Sequence, residues 1–222
     1  MRGRFITLEG GEGAGKSTQA ERLAARLRTL AISVAVTREP GGSPGADIMR
    51  HVLLSGAAKP FGPVAETLLF AAARDDHVRT TIAPALADGR WVVCDRFIDS
   101  TRVYQGILGR VDPKLIRGLE RLTVSDAMPD LTLILDLPAN IGLARAARRR
   151  AGARPDRFET ETLDFHTKLR QAFRAVGAAE KDRCVLIDAT RSIDRVADDI
   201  WSVVNARLDP ARAPISLEDL HA

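Results

Sequence analysis

The 222-residue sequence has no long hydrophobic run and only two cysteines, and both shortages exclude classes of protein. Although 45% of its residues are hydrophobic, no stretch approaches the ~18 uninterrupted apolar residues of a membrane-spanning helix, so we expect no membrane partner. The amino-terminal residues lack the apolar core of a secretory signal, which predicts a cytoplasmic protein. Cys94 and Cys184 lie in apolar, strand-like runs, so we expect reduced core thiols and neither a disulfide nor a metal pair.

Positive charge is concentrated in one segment of the chain. The net charge is +4, yet residues 145–157 hold six arginines and one aspartate, so the rest of the chain sums to −1. Such a compact cluster is not the broad basic patch that follows a duplex, and we expect no nucleic-acid partner. Because Gly152 and Pro155 interrupt the cluster, it favours a lid, about residues 145–158, that closes on transferring phosphates. A solvated helix face or an RNA contact is the alternative.

Residues 10–17 read Gly-Gly-Glu-Gly-Ala-Gly-Lys-Ser, a complete G-x-x-x-x-G-K-[ST] phosphate-binding loop. An apolar run precedes the loop and a helical pattern begins at Lys16, so successive backbone N–H groups should converge on a phosphate. Gly10, Gly13 and Gly15 permit backbone angles that other residues avoid. We predict that Lys16 reaches the outer phosphates and that Ser17 holds Mg²⁺. The predicted ATP-binding residues are Gly10, Gly11, Glu12, Gly13, Ala14, Gly15, Lys16, Ser17 and Thr18.

Short apolar runs alternate with helical patterns along the whole chain. The predicted strands are Arg4–Glu9, Ser33–Arg38, Trp91–Asp95, Leu131–Asp136 and Arg183–Asp188. The predicted helices are Lys16–Leu30, Ala46–Leu54, Val64–Asp88 with a bend near Pro84, Asp112–Thr123, Ile141–Arg150, Glu159–Val176 and Ser192–Leu208. This alternation predicts an α/β fold, a five-stranded parallel sheet with helices on both faces. We expect one domain over residues 1–208 and a loosely ordered tail over residues 209–222.

Charged residues follow several predicted strands, at the sheet edge where α/β proteins bind ligands. Glu12 stands in the phosphate loop, where a carboxylate needs a partner such as a substrate hydroxyl or a water on Mg²⁺. Arg38 and Glu39 follow the second strand and either pair with each other or face a ligand. Asp95 ends an apolar strand in the position that orders Mg²⁺, and Arg96 beside it is suited to a second phosphate.

Two helical patterns carry residues suited to a nucleobase. If residues 100–106 are helical, Thr101 and Gln105 share one face, and such a pair can hydrogen-bond the edge of a base. Phe70 and Arg74 have the same spacing and would supply a stacking ring and a fork of donors. An aromatic residue at helical spacing is also typical of a core, and that alternative stays open for Phe70.

The loop alone leaves several nucleotide-binding classes open. A GTPase would need an Asn-Lys-x-Asp motif, and neither Asn140 nor Asn205 stands in one. Motor-type ATPases place a second acid beside the Walker-B aspartate to activate water, but here that place holds Arg96. A positive charge there favours binding a second anion, which indicates transfer between two phosphorylated substrates.

Four ordered blocks of sequence resemble bacterial thymidylate kinases, from about Arg4 to about Leu208. They are Glu12-Gly13-Ala14-Gly15-Lys16-Ser17, Thr37-Arg38-Glu39-Pro40-Gly41-Gly42, Asp95-Arg96-x-x-x-Ser100-x-x-x-Tyr104-Gln105-Gly106 and Asp156-Arg157-Phe158-Glu159. The resemblance implies the three-layer α/β/α P-loop kinase fold, usually as a homodimer. It implies phosphoryl transfer from ATP to dTMP with Mg²⁺ as cofactor, held by Ser17 and by Asp95 through water.

The resemblance also implies residue roles on the acceptor side. Phe70 would stack on thymine, Arg74 would donate to its carbonyl edge, and Tyr104 would pack against the sugar. Further roles would be base or sugar contacts from Thr101 and Gln105, phosphate contacts from Arg96 and Arg50, a 3′-hydroxyl contact from Glu12, and a place for Glu39 in the acceptor-phosphate and Mg²⁺ network.

The resemblance further implies that the arginine that assists transfer lies in the lid and not in the phosphate loop. Arg149, Arg154 and Arg157 are the candidates, and Arg157 is favoured because it lies in a matching motif. With Lys16, Arg96 and Glu12 they complete the predicted catalytic set. The chain departs from the family at Phe97, where tyrosine or histidine is usual. A deoxynucleoside kinase or a non-catalytic nucleotide switch remains an alternative.

Overall fold

The computed structural model describes residues 2–150, 157–158 and 160–212, without the side chains of residues 150 and 212. Its strands form one parallel sheet in the order β2-β3-β1-β4-β5. They are β1 (Phe5–Gly10), β2 (Val34–Arg38), β3 (Trp91–Asp95), β4 (Leu131–Asp136) and β5 (Cys184–Asp188). Each predicted strand is confirmed to within one residue at either end, and with them the predicted fold class.

The central strand β1 is buried along its whole length, because helices cover both faces of the sheet. Ile6 and Leu8 pack on one side, with the helices that follow β1 and β5. Phe5 points to the other side, where its ring meets that of Phe97 edge-on at 4.9 Å. Phe97 is fully buried, so the residue that departs from the family pattern belongs to this core. Alternate residues of one apolar run thus fill two cores, as parallel strands require.

The helices of the described ranges surround this sheet. They are α1 (Lys16–Arg28), α2 (Pro44–Ser55), α3 (Gly62–His77), α4 (Ala83–Ala87), α5 (Ile98–Thr101), α6 (Pro113–Val124), α7 (Ala139–Arg150), α8 (Leu163–Ala179) and α9 (Ile193–Leu208). Short 3₁₀ turns cover Lys59–Phe61 and Pro210–Arg212, and the remainder of the predicted tail lies outside the described residues.

Capping residues fix where several helices begin. Asp112, Thr162 and Ser192 each accept a hydrogen bond from a backbone N–H of the first turn that follows. The prediction of a helix from Glu159 was wrong for that end, because the cap at Thr162 delays the start of α8 to Leu163. Residue 159 itself is outside the described ranges.

The predicted long helix from Val64 to Asp88 is continuous but irregular. Its middle, Val78–Ile82, is a π-helical turn between α3 and α4. Pro84, two residues after this turn, has no N–H to complete an α-helical bond, and the wider turn accommodates the missing donor. A second π-helical segment, Arg102–Leu108, continues α5. No helix of the described ranges is long and apolar enough to cross a membrane.

Candidate active site

The phosphate loop lies between β1 and α1 as predicted. Gly10, Gly13 and Gly15 all have positive φ angles, of 130°, 68° and 93°. At Gly13 the fit is also steric, because a Cβ there would lie 2.0 Å from the backbone oxygen of Gly142 at the start of α7. The loop therefore needs glycine at this position both for its backbone angle and for its contact with α7.

Lys16 lies over the loop at the first residue of α1. Its Nζ donates to the carbonyl oxygens of Gly11 at 2.8 Å and Gly10 at 3.2 Å. Burial and the nearby Arg96 lower the pKa of Lys16, whereas Glu12, Asp95 and Glu9 oppose that shift. The ammonium is thus largely removed from water beside the phosphate-binding amides, where an anionic ligand would gain most from it.

The oxygen atoms of Ser17 and Asp95 meet at the mouth of the loop. Ser17 Oγ donates to Asp95 Oδ2 at 2.5 Å, and Asp95 Oδ1 is buried without a hydrogen-bond partner in the described part of the chain. Hard oxygen donors of this kind fit Mg²⁺, which takes one or two protein ligands and completes its shell with water and phosphate oxygens. No larger cluster of metal-ligating side chains occurs among the described residues, and such a site needs none.

A partly buried ion pair, whose side chains are 16% and 13% exposed, joins the loop to the end of β3. Arg96 Nη2 donates to Glu12 Oε1 at 2.6 Å, and Arg96 Nη1 donates to Ser100 Oγ at 3.2 Å. Burial alone would raise the pKa of Glu12, but Arg96 and Lys16 outweigh it and lower the pKa to about 2. Glu12 is therefore ionised throughout the physiological range and can accept a hydrogen bond from a hydroxyl or a metal-bound water.

Glu9, which the sequence analysis left unassigned, supports Arg96 from behind. Its buried carboxylate accepts hydrogen bonds from the backbone N–H groups of Phe97 at 2.8 Å and Ser100 at 3.1 Å, and from Ser100 Oγ at 2.7 Å. Burial, reinforced by Asp99, raises the pKa of Glu9 to about 7. Arg96 has a φ of 70°, which is costly for a residue with a side chain, and these bonds hold the turn that contains it.

One cavity of about 310 Å³ brings together most of the predicted site residues. From the donor side it is lined by Glu12, Gly13, Gly15, Lys16, Ser17 and Asp95. From the acceptor side it is lined by all eight predicted residues, Glu39, Arg50, Phe70, Arg74, Arg96, Thr101, Tyr104 and Gln105. Gly10, Gly11, Ala14 and Thr18 belong to the loop but not to the cavity wall. Their position in the loop is compatible with contacts from their backbone N–H groups to the phosphates of ATP, and this role stays a prediction.

Arg74 is the centre of a buried cluster on the acceptor side. Its Nε donates to Glu39 Oε2 at 2.9 Å and its Nη2 donates to Thr101 Oγ1 at 2.9 Å. Glu39 Oε1 lies 3.1 Å from His77 Nδ1, and the other ring nitrogen of His77 lies 2.7 Å from Thr37 Oγ1. Glu39 therefore pairs with Arg74 and not with Arg38, while Arg38 also lines the cavity. His77 was missed because only tertiary packing brings it to Glu39.

The residues predicted to contact the base all line the cavity. Phe70 is half-buried and lines the cavity, which removes it from the core that its spacing allowed. Thr101 and Gln105 are nearly buried and line the same cavity from α5 and the π-helical segment. Nη1 of Arg74 has no hydrogen-bond partner within the described ranges, so it is the guanidinium nitrogen that a bound base can use.

The three lid candidates differ in where they lie relative to the cavity. Arg149, at the end of α7, lines the cavity and lowers the pKa of Glu12 through its charge. Arg157 pairs instead with Glu66 of α3 and does not line the cavity. Arg154 lies outside the described residues, so its role stays a prediction.

Comparison with known proteins agrees with this geometry. The profile of the family described as thymidylate kinase matches residues 8–200. A thymidylate kinase of Bradyrhizobium diazoefficiens is 61% identical over 214 residues, covering 96% of this chain and 94% of its own length. One from Rhodopseudomonas palustris is 60% identical over 215 residues, covering 96% and 94%. The crystal structure of thymidylate kinase from Ehrlichia chaffeensis superimposes with a TM-score of 0.73 at 31% identity, covering 92% of this chain and 99% of that chain.

These matches run through the phosphate loop, the Asp95-Arg96 turn and the segment that ends in Phe158. The resemblance that the sequence motifs carried is therefore confirmed over nearly the whole chain, and the deoxynucleoside kinase and switch alternatives are not favoured. The chain belongs to the thymidylate kinase family, whose members are ATP-dependent kinases that phosphorylate dTMP.

Proposed function

We propose that this chain transfers the γ-phosphoryl group of ATP to dTMP, giving ADP and dTDP, with the residues of the described cavity in the roles that follow. The observation that carries the proposal is the continuity of that cavity, which runs from the phosphate loop past Arg96 to Phe70 and Arg74. Phosphoryl transfer requires two substrates in line and positive charge near the equatorial oxygens, and it requires little covalent chemistry from the protein.

On the donor side, backbone N–H groups of the loop and Lys16 hold the ATP phosphates, and Arg149 adds charge at the transferring group. Mg²⁺, held by Ser17 and by Asp95 through water, would neutralise phosphate charge when bound. The short Ser17–Asp95 contact supports this assignment, as does Asp95 Oδ1, which is buried and has no hydrogen-bond partner among the described residues.

On the acceptor side, Arg96 and Arg50 hold the dTMP phosphate, which is itself the nucleophile and needs no general base. Phe70 stacks on thymine, Arg74 Nη1 donates to its carbonyl edge, and Thr101 and Gln105 complete the base contact. The ion pair with Glu12 supports the role of Arg96, because it fixes the guanidinium beside the phosphate loop through Nη2. The second terminal nitrogen, Nη1, donates to Ser100 Oγ. Glu12 accepts from the sugar 3′-hydroxyl, Tyr104 packs against the sugar, and Glu39 holds Arg74.

ADP release in the presence of ATP and Mg²⁺ tests the proposal. The acceptors are dTMP, dUMP, the ribose form of TMP, dCMP, dGMP and thymidine. We expect fast turnover with dTMP, slower turnover with dUMP and little with the other acceptors. Turnover with thymidine alone would contradict the phosphate-holding roles of Arg96 and Arg50.

We also propose that the protein is a cytoplasmic homodimer that pairs through α2 and α3. Large apolar side chains are exposed on or beside these helices, including Ile48 at 71%, Phe61 at 75% and Leu68 at 47%. A second copy of the chain is the partner that would cover this apolar surface by symmetry. Reduced, buried Cys94 and Cys184 support the compartment.

Sedimentation velocity of the wild type, L68E and L30E checks the pairing surface. We expect a dimer for the wild type and for L30E, whose exposed leucine lies elsewhere, and a monomer for L68E. A monomeric wild type, or a dimeric L68E, would contradict the proposal.

A further inference from the structure

The Arg157–Phe158 segment is fastened to the acceptor half of the molecule by an ion pair that no role above uses. The guanidinium of Arg157 bonds both carboxylate oxygens of Glu66, with Nη2 3.0 Å from Oε2. The side chain of Glu66 is 7% exposed and that of Arg157 is 19% exposed. A two-point contact of this kind fixes orientation as well as distance.

The ion pair places the next residue, Phe158, at the cavity wall. The Arg157 guanidinium carbon lies 4.5 Å from the centre of the Phe158 ring. That ring meets the ring of Tyr104 edge-on at 5.1 Å, and both rings line the cavity. The imidazole of His166, buried on α8, also hydrogen-bonds the Phe158 backbone. Phe158 is thus held by its neighbour, by its ring and by its main chain.

Glu66 belongs to the same helix face as the base-reading residues. Glu66, Phe70 and Arg74 follow one another at intervals of four residues on α3, which sets them in one row. Phe70 and Arg74 line the cavity together with Phe158, whereas Glu66 and Arg157 are not among its lining residues. The charge of Arg157 is therefore paired with a carboxylate of α3 and does not line the cavity.

We propose that Glu66 and Arg157 are a positioning pair that seats Phe158 against Tyr104 and thereby sets the affinity of the pocket for dTMP. The proposal rests on the proposed function, since it assigns dTMP to this pocket. It predicts that the pair acts on acceptor binding, whereas an arginine that touches the transferring phosphoryl group acts on kcat.

Calorimetric titration of dTMP without ATP separates these roles, with E66Q, R157Q and E66Q/R157Q compared with the wild type. We expect each single variant to bind dTMP at least about tenfold more weakly, a change of about 1.4 kcal/mol. The Kd of the double variant for dTMP should exceed that of the more weakly binding single variant by no more than about twofold. The reason is that the two substitutions remove the same interaction. In steady state, KM for ATP should be unchanged and kcat should stay within about threefold.

Two further variants keep the test specific. E161Q removes a charge that acts on Arg157 from nearby, and we expect wild-type dTMP affinity from it. F158A should reproduce the loss of affinity seen in E66Q. Should a single variant unfold, the reversed pair E66R/R157E is expected to recover most of the affinity.

Wild-type dTMP affinity in E66Q would overturn the proposal. So would an R157Q variant that binds dTMP normally but loses about 10³-fold in kcat, which is the behaviour of an arginine at the transferring phosphoryl group. A wild-type protein that binds no dTMP at all would instead reject the proposed function, so the two failures are distinguishable.

Discussion

Most of the donor side of the cavity comes from the phosphate loop, with Asp95 and Arg149 added from elsewhere, whereas the acceptor side is assembled entirely from elements far apart in the chain. Five residues between Glu12 and Ser17 line the donor side, in a loop whose backbone angles are set by three glycines. The acceptor wall needs Glu39 to meet Arg74 and Arg96 to meet Glu12, pairs separated by 35 and 84 residues. The donor side therefore depends on local conformation, and the acceptor side depends on buried charges meeting after the fold has formed.

The largest loss of activity is expected when the positive charge of Arg149 is removed from the donor side. R149A should lower kcat by about 10³–10⁵-fold, if one arginine supplies most of the transition-state stabilisation. Single-turnover kinetics with saturating ATP and dTMP measure it directly. R148A, one residue earlier on α7, is the matched control and should remain near wild type. Turnover of R149A within tenfold of wild type would return the role to the other two candidates, Arg154 and Arg157.

Breaking the link between the two sides should cost less. R96A removes a phosphate donor and leaves Glu12 ionised in a buried place, so kcat/KM for dTMP should fall by about 10²–10³-fold. R96K keeps the charge but cannot donate to two partners through a planar guanidinium. We therefore expect its kcat/KM for dTMP to recover only partly relative to R96A. Because Glu12 has a pKa of about 2 in the intact site, R96A should raise that pKa markedly. NMR titration of the carboxylate checks this.

On the acceptor side alone, F70A should weaken dTMP binding by about 10- to 100-fold, the value of one stacked base. The KM for ATP serves as the internal control and should change little. F70W should retain most of the affinity because it keeps a ring at the cavity wall. Equal losses for ATP and dTMP would show that Phe70 supports the fold and not the base.

The last prediction concerns stability and not activity, and it distinguishes two carboxylates three residues apart. Glu9 has a folded pKa of about 7, raised by burial, so ionising it disfavours the folded state. Its destabilising effect should grow as pH rises from about 4.5 to about 7, with a slope of at most about 1.4 kcal/mol per pH unit.

Urea unfolding at pH 5 and pH 7.5 tests this assignment. The wild type should lose stability relative to E9Q over that interval. Glu12 has the opposite sign, because its lowered pKa gives stability that is present above about pH 4.5 and lost toward pH 2. The stability difference between the wild type and E12Q should therefore stay nearly constant between pH 5 and pH 7.5 and shrink as the pH falls toward 2. A flat difference between the wild type and E9Q would contradict the assignment.

The sheet was predictable because each strand is a short apolar run bounded by turn residues, as Trp91–Asp95 illustrates. The π-helical turns were not, because a helical pattern does not distinguish one helical hydrogen-bond ladder from another. The start of α8 was misjudged because the cap at Thr162 was overlooked.

Within the site, motif positions such as Lys16 and Arg96 could be found from their neighbours in sequence. Glu66 carried a usable signal, since it stands one helical turn before Phe70 on the same face. Glu9 carried one too, as an acid that ends an apolar strand beside the loop. His77 carried none, because its meaning comes from Glu39, 38 residues away.

Gly13 and Gly142 press backbone against backbone. A Cβ on Gly13 would lie 2.0 Å from the Gly142 oxygen, and a Cβ on Gly142 would lie 2.2 Å from the Glu12 oxygen. At both glycines the prohibitively close atom belongs to the backbone, so no second substitution could remove it. A larger residue at either position therefore cannot be compensated by a second substitution at the other. Among relatives the two positions should each be invariant, without the paired changes from which contacts are usually inferred.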